Sequence, residues 1–182
     1  MNAIAFLIAL NVMVFVFQVL RPGLGAQLSL SWFSFQEQPW RLVTSMFAHG
    51  GFYHLLFNMI SLYFLGSFFL RLVGEGALLK VYFIGGAIAG LAFILMAPYS
   101  SAVGASGAVF AIGGALAIMA PKLPVLVFPL PVPVPLWGAM VFFLLFGFLI
   151  SGIAWQAHLG GFLFGLAAGY YYKRRGRRPI FY

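Results

Sequence analysis

An all-α, polytopic membrane protein is the fold class this chain predicts, and three observations carry it. The 182 residues are 64% hydrophobic and only 7% charged, whereas soluble domains carry about 25% charged residues. The mean hydropathy is +1.07, and the apolar residues gather into runs approaching the ~20 residues a helix needs to cross a bilayer. No ten-residue stretches of alternating polarity occur, which excludes a closed β-barrel, the other architecture that satisfies every backbone group in lipid.

Six segments read as helices, at roughly 2–20, 51–70, 77–97, 105–120, 135–152 and 156–173, within one membrane domain over 1–182. No positively charged leader precedes the first segment and no small-residue cleavage site follows it, so it reads as a spanning helix rather than a removable signal. The fourth and sixth are shorter and rich in glycine and alanine, which suits central helices surrounded by protein. Residues 21–50 form a long outer loop whose stretch Leu28–Phe35 is amphipathic and fits the membrane interface. Six prolines, at 121, 124, 129, 131, 133 and 135, predict extended polyproline between the fourth and fifth segments.

Charge sets the expected orientation. Six spans place both termini on one side, together with Arg71, Lys80, Lys122, Lys173, Arg174, Arg175, Arg177 and Arg178, eight of the ten Lys and Arg. The opposite side holds Arg21 and Arg41. The positive-inside rule makes both termini cytoplasmic. The basic tail 173–182 is expected to lie against anionic membrane lipids, with no nucleic-acid partner.

Two polar residues stand out inside these apolar runs. Ser106 sits in Gly104-Ala105-Ser106-Gly107, and His158 sits in Ala157-His158-Leu159-Gly160-Gly161. Polar and ionisable groups are costly at membrane depth and are functional candidates there. The topology puts both at the outer start of a helix, at one level, where they offer a nucleophile and its base. At a helix N-terminus the free N–H groups and the dipole favour a developing oxyanion.

Taken singly, each residue also fits ordinary helix packing. Their neighbours give them a way to meet. Gly161, Gly165 and Gly169 form one small face, and Gly107, Ala111 and Ala115 repeat at the same spacing on the earlier helix. If the faces pack, Ser106 and His158 reach the same end of the contact, and Phe110 can stack on the imidazole. His54 and Asn58, four residues apart, share one face of the second segment. Together with the Ser106 backbone N–H they can donate to a tetrahedral oxyanion; a polar helix–helix contact is the alternative for this pair.

The chain resembles the rhomboid family of intramembrane serine proteases, of the compact six-helix prokaryotic type. The resemblance rests on Trp40-Arg41, His54-Leu55-Leu56-Phe57-Asn58, Gly104-Ala105-Ser106-Gly107 and Ala157-His158-Leu159-Gly160-Gly161, in that order among six spans. It implies Ser106 as nucleophile, His158 as general base, His54 and Asn58 in the oxyanion hole, and Trp40 and Arg41 as structural residues of the first loop. It implies transmembrane protein substrates cut near a helix end, and movement of the fifth helix and a cap loop at about Ser151 to Gln156. It further implies a multi-pass protein of the cell (inner) membrane with its site on the extracytoplasmic side. Phe110 departs from the tyrosine common in bacterial members, keeping the ring and losing the hydroxyl.

Counting residues narrows the chemistry independently. The acidic residues are Glu37 and Glu75 alone, with no aspartate and no cysteine. A two-carboxylate aspartyl protease, an H-E-x-x-H zinc protease and a thiol enzyme are excluded. Glu37 lies in the outer loop and Glu75 on the opposite side, so a Ser-His-Asp triad has no third member either. A serine hydrolase built on this chain works as a Ser-His dyad, and no metal or cofactor is expected. Ser45, His49, Ser101 and Gln156 are the polar residues that could line its water-accessible cavity; for His49 a loop-anchoring hydrogen bond is an equal expectation.

Two other classes compete. A non-catalytic rhomboid-like binder of transmembrane helices usually lacks the serine or the histidine, and both are present here. A transporter or channel calls for a buried charge or internal repeats, and neither is evident in the apolar segments.

Overall fold

In the computed structural model, residues 2–127 and 132–176 are described. Helix α1 (Ala3–Leu20) starts at Asn2, whose side chain accepts from the Ala5 N–H at 2.9 Å. The outer loop then folds into short helices α2 (Leu24–Leu28), α3 (Trp32–Glu37) and α4 (Arg41–Thr44), with a 3-10 turn at Ser45–Phe47. A capping box between Ser31 and Ser34 starts α3. Arg41 ties the loop together, donating from Nε to Gln38 Oε1 at 2.8 Å and from its terminal nitrogen to the Ser29 carbonyl at 3.1 Å.

Helix α5 (Phe52–Ser61), a π-turn (Leu62–Gly66) and α6 (Ser67–Val73) run as one continuous helix. Gly74, at φ +82°, breaks the chain sharply into α7 (Glu75–Met96). Glu75 reaches back to accept the Ala3 N–H at 3.0 Å and so joins the starts of α1 and α7. Helices α8 (Ser106–Met119), α9 (Leu136–Leu149) and α10 (Trp155–Arg174) complete the bundle. Every segment expected from sequence is a helix, with ends within about four residues of the expected ones, the usual uncertainty of helix ends.

Three helices are long and apolar enough to cross a bilayer among the described residues: Ala3–Leu20, Phe52–Val73 and Glu75–Met96. Helices α8 and α9 have 14 residues each. Helix α10 has 20, but Gln156, His158 and its terminal tyrosines dilute its hydropathy. Large apolar side chains such as Phe17, Tyr53, Phe64, Leu95 and Phe148 point outward on the long faces. That is the surface an integral membrane protein presents to lipid.

The proline-rich connection departs from the polyproline expectation. Pro124–Val125 (β1) and Val134–Pro135 (β2) pair as a two-stranded antiparallel ladder, and the Leu136 N–H donates to the Leu123 carbonyl at 2.9 Å. Polyproline has no internal hydrogen bonds; a short hairpin gains some while leaving its prolines at edge positions. Pro129 and Pro131, and Arg177 and Arg178 of the expected basic tail, lie outside the described residues.

Helix α8 occupies the centre: 11 of its 14 residues are buried, and it touches α7, α9, α10 and the π-turn. Its closest partner is α10. A Cβ placed on Gly161, Gly165 or Gly169 meets the backbone carbonyl of Gly107, Ala111 or Ala115 respectively. The two small faces expected from their four-residue spacing are therefore in backbone contact, with no room for a single methyl group. In lipid, where apolar side chains gain nothing by leaving one apolar medium for another, such close packing is a main source of helix association.

Gly165→Ala is expected to cost about 1–3 kcal/mol, because a backbone carbonyl cannot yield as a flexible side chain does. Gly76→Ala, where an added Cβ meets nothing within 4 Å, should instead gain up to about 1 kcal/mol from helix propensity. Thermal unfolding of both variants in detergent measures the contrast.

Candidate active site

Ser106 opens α8, and the turn before it explains its position. Gly104 has φ +126°, a conformation side chains rarely adopt, and its N–H donates to the Ser45 carbonyl at 2.9 Å. Leu30 and Ala102 exchange both backbone hydrogen bonds at 2.9 Å, stapling the outer loop to the same strand of chain. The helix begins immediately after this anchor, so the N–H groups of its first turn have no intrahelical acceptor.

His158 stands one turn into α10. Its Nε2 lies 3.0 Å from Ser106 Oγ. Phe110, one turn along α8, stacks on the imidazole with centroids 4.3 Å apart and planes 15° apart. The Gly161–Gly107 contact brings these helix ends together, as the facing small residues predict. His158 Nδ1 is buried without a hydrogen-bond partner among the described residues. Gly147 of α9 passes beside that atom; a Cβ there sits 3.3 Å from it.

His54 approaches from the other side. Its Nδ1 accepts the Gly50 N–H at 3.2 Å. A backbone N–H can only donate, so Nδ1 of the neutral ring carries no proton and Nε2 does. That Nε2 edge faces the turn before Ser106: a Cβ on Gly104 would stand 2.9 Å from His54 Nε2 and 2.7 Å from Cε1. Glycine at 104 thus serves both the turn and the space His54 occupies. Asn58, buried one turn below, donates from Nδ2 to the His54 carbonyl at 2.8 Å. One of its two amide protons is spent within the helix, and the second is the one left to donate.

The remaining expectations divide. Trp40 is 60% exposed and caps no site group; Arg41 organises the outer loop. A small cleft of about 40 Å³ runs beside Ser106 between Leu30, Ser45, Met46, Gly86, Gly104 and Ala154. Of the four polar residues expected to line it, Ser45 does. Ser101 is exposed outside it, and neither Gln156 nor His49 contributes to its walls. His49 is 3% exposed, and its backbone is held by Gln18 of α1. Burial, reinforced by the neighbouring His54, pulls its imidazole down to about 4. It is neutral at ordinary pH, its Nδ1 lying 3.3 Å from the Phe47 carbonyl.

Gln18 escaped the sequence reading. Its side chain accepts the His49 N–H at 2.9 Å and donates to the His49 carbonyl at 3.1 Å. A glutamine two residues from the end of an apolar helix reads as an ordinary interfacial residue, so only its contacts reveal it.

A helical integral membrane protein that holds a serine and a histidine in hydrogen-bond contact at its core is the class these features define. Residues 36–175 match the family model of the rhomboid domain, and the chain belongs to the rhomboid family. It is 35% identical over 133 residues to the rhomboid protease GluP of Bacillus subtilis, covering 73% of this chain and 26% of that protein. It is 30% identical over 154 residues to the mitochondrial Rhomboid protein 1 of Saccharomyces cerevisiae, covering 75% of this chain and 44% of that protein. An Arabidopsis thaliana relative named Inactive RHOMBOID-like protein 8 matches at 30% over 89 residues, 48% of this chain and 25% of its own. The chain thus spans a quarter to under half the length of these relatives.

Gly104→Ala and Gly23→Ala impose comparable backbone strain, of order 1–3 kcal/mol, but at Gly23 an added Cβ meets nothing within 4 Å. Only Gly104→Ala should displace His54 and slow labelling of Ser106 by a fluorophosphonate, at least ~10-fold if an oxyanion donor is disturbed. Equal labelling rates in the two variants remove the Gly104–His54 contact from the site.

Proposed function

We propose that this chain is an intramembrane serine endopeptidase that cleaves transmembrane protein substrates near the outer end of their membrane helix. The observation that carries the proposal is the 3.0 Å contact between His158 Nε2 and Ser106 Oγ. Geometry of this kind lets the imidazole take the hydroxyl proton as the oxygen attacks a carbonyl. Phe110 limits rotation of the ring.

As the carbonyl oxygen becomes an oxyanion, three donors are at hand: the Ser106 N–H, the Nε2–H of His54 and the second amide proton of Asn58. Losing one such donor typically costs ~10²–10³ in rate. The protonated His158 then gives its proton to the leaving amine, and the same base activates water to release the acyl-enzyme. No carboxylate serves His158; its orientation comes from stacking and from the walls of α9.

Helix length supports a site set below the membrane surface. At 1.5 Å per residue, the 14 residues of α8 rise about 21 Å, against ~30 Å of hydrocarbon. A central helix this short, ending at one surface, starts below the other. We place Ser106 beneath the extracytoplasmic face of the cell (inner) membrane, with six spans, both termini cytoplasmic and the basic tail against anionic lipid. Residues 1–182 act in this reading as one membrane domain.

Fluorophosphonate labelling of the wild type, lost in Ser106→Ala and strongly reduced in His158→Ala, is the expected result. Labelling that persists in Ser106→Ala sinks the assignment, and a protein that labels in neither form yet binds transmembrane helices is the non-catalytic relative instead. Asn58→Ala should lower turnover ~10²-fold with the fold intact.

The chain contains no cysteine, so orientation can be read with single introduced thiols. Tyr99→Cys, at a position 91% exposed between α7 and α8, should react with an impermeant maleimide added outside intact cells. Lys122→Cys should react only after the membrane is opened; the reverse pattern inverts the topology.

A further inference from the structure

Gln18 lies before the residues 36–175 that match the rhomboid domain. Its carboxamide makes two hydrogen bonds to the backbone of one residue: it accepts the His49 N–H at 2.9 Å and donates to the His49 carbonyl at 3.1 Å. A two-point contact of this kind holds a backbone segment in place and orientation, as a strand partner does. The helix α1 thereby grips the chain three residues before α5 begins.

Room for this grip is built into the loop. A Cβ on Gly25 would stand 2.8 Å from Gln18 Nε2, so glycine there leaves the amide its place. The His49 side chain is fixed from below by the Phe47 carbonyl and meets the His54 ring edge-on, with centroids 5.1 Å apart. The next residue, Gly50, directs its N–H at His54 Nδ1.

We propose that Gln18 is a positioning residue for His54: by clamping His49 it holds the Gly50 N–H on Nδ1, and so selects the tautomer that donates from Nε2. Without the clamp, Gly50 is free to turn, Nδ1 can take the proton, and Nε2 becomes an acceptor aimed at the turn before Ser106. An acceptor at that point repels an oxyanion that a donor stabilises. The kinetic consequence rests on the reading of His54 as an oxyanion donor; the tautomer itself does not.

The test uses the full chain in detergent micelles with 15N-labelled histidine, three residues in all, assigned by single substitutions. In the wild type, His54 should show one species, protonated at Nε2 and bare at Nδ1. Gln18→Met, close in size but without the amide, should mix the tautomers and lower kcat on a transmembrane substrate about 10-fold, part of the ~10²–10³ that losing a donor costs, with KM unchanged. Gln18→Glu keeps an acceptor for the His49 N–H and should fall between, which also serves if Gln18→Met does not fold. In a His54→Ala background, Gln18→Met should cost nothing further. Unchanged His54 signals in a folded Gln18 variant, unchanged kcat despite altered signals, or a further loss in the His54→Ala background each overturn the inference. Full activity of His54→Ala overturns the oxyanion reading instead and leaves the tautomer link to be judged by the spectra.

Discussion

The rest of the structure depends on one contact, the seam where α8 and α10 touch backbone to backbone. Three glycines of α10 lie against three carbonyls of α8, each pair one helical turn from the next. In a lipid environment this seam supplements the burial that drives soluble folding, because many large apolar side chains here face outward rather than in. Its register also carries the site. Sliding α10 by one turn moves His158 about 5.4 Å along the axis, far beyond the 3.0 Å reach to Ser106.

A second constraint is the shortage of charge. With two carboxylates in the chain, both outside the bundle core, polar groups near Ser106 are organised by neutral donors and acceptors. Backbone groups do much of that work: Gly50 N–H on His54, the His54 carbonyl on Asn58, the Ser45 carbonyl on Gly104. Each is directional, so the protonation pattern of a ring can be set without an ion that would be costly to bury. The proposed acyl-transfer chemistry then draws its donors from loops and helix ends that are held by α1, α5 and the outer loop together.

Much of this was legible from residues alone. The Gly161, Gly165 and Gly169 stripe and its partner at Gly107, Ala111 and Ala115 could be read because helix packing in membranes depends on small residues at fixed spacing. The proline-rich connection was misread in part, since proline's φ is common to polyproline and to strand edges, and the pairing partner decides between them. Of the two expectations for His49, a place beside water or a loop-anchoring hydrogen bond, the structure shows the second, with its backbone held by α1. Its partner, Gln18, is 31 residues away, and no local pattern marks a long-range contact between a side chain and a backbone segment.

The sequence by itself determined the membrane class, the helices, the absence of a carboxylate triad and the placing of Ser106 and His158 as candidates on facing small-residue helices. These follow from composition, periodicity and counting, which act locally along the chain. Only the tertiary structure decided that His158 turns Nε2 to Ser106, that the Gly50 N–H meets His54 Nδ1, and that Gln18 of α1 holds the His49 backbone. Those properties depend on which donor meets which acceptor after distant segments have packed, and a linear sequence holds the groups without holding their directions.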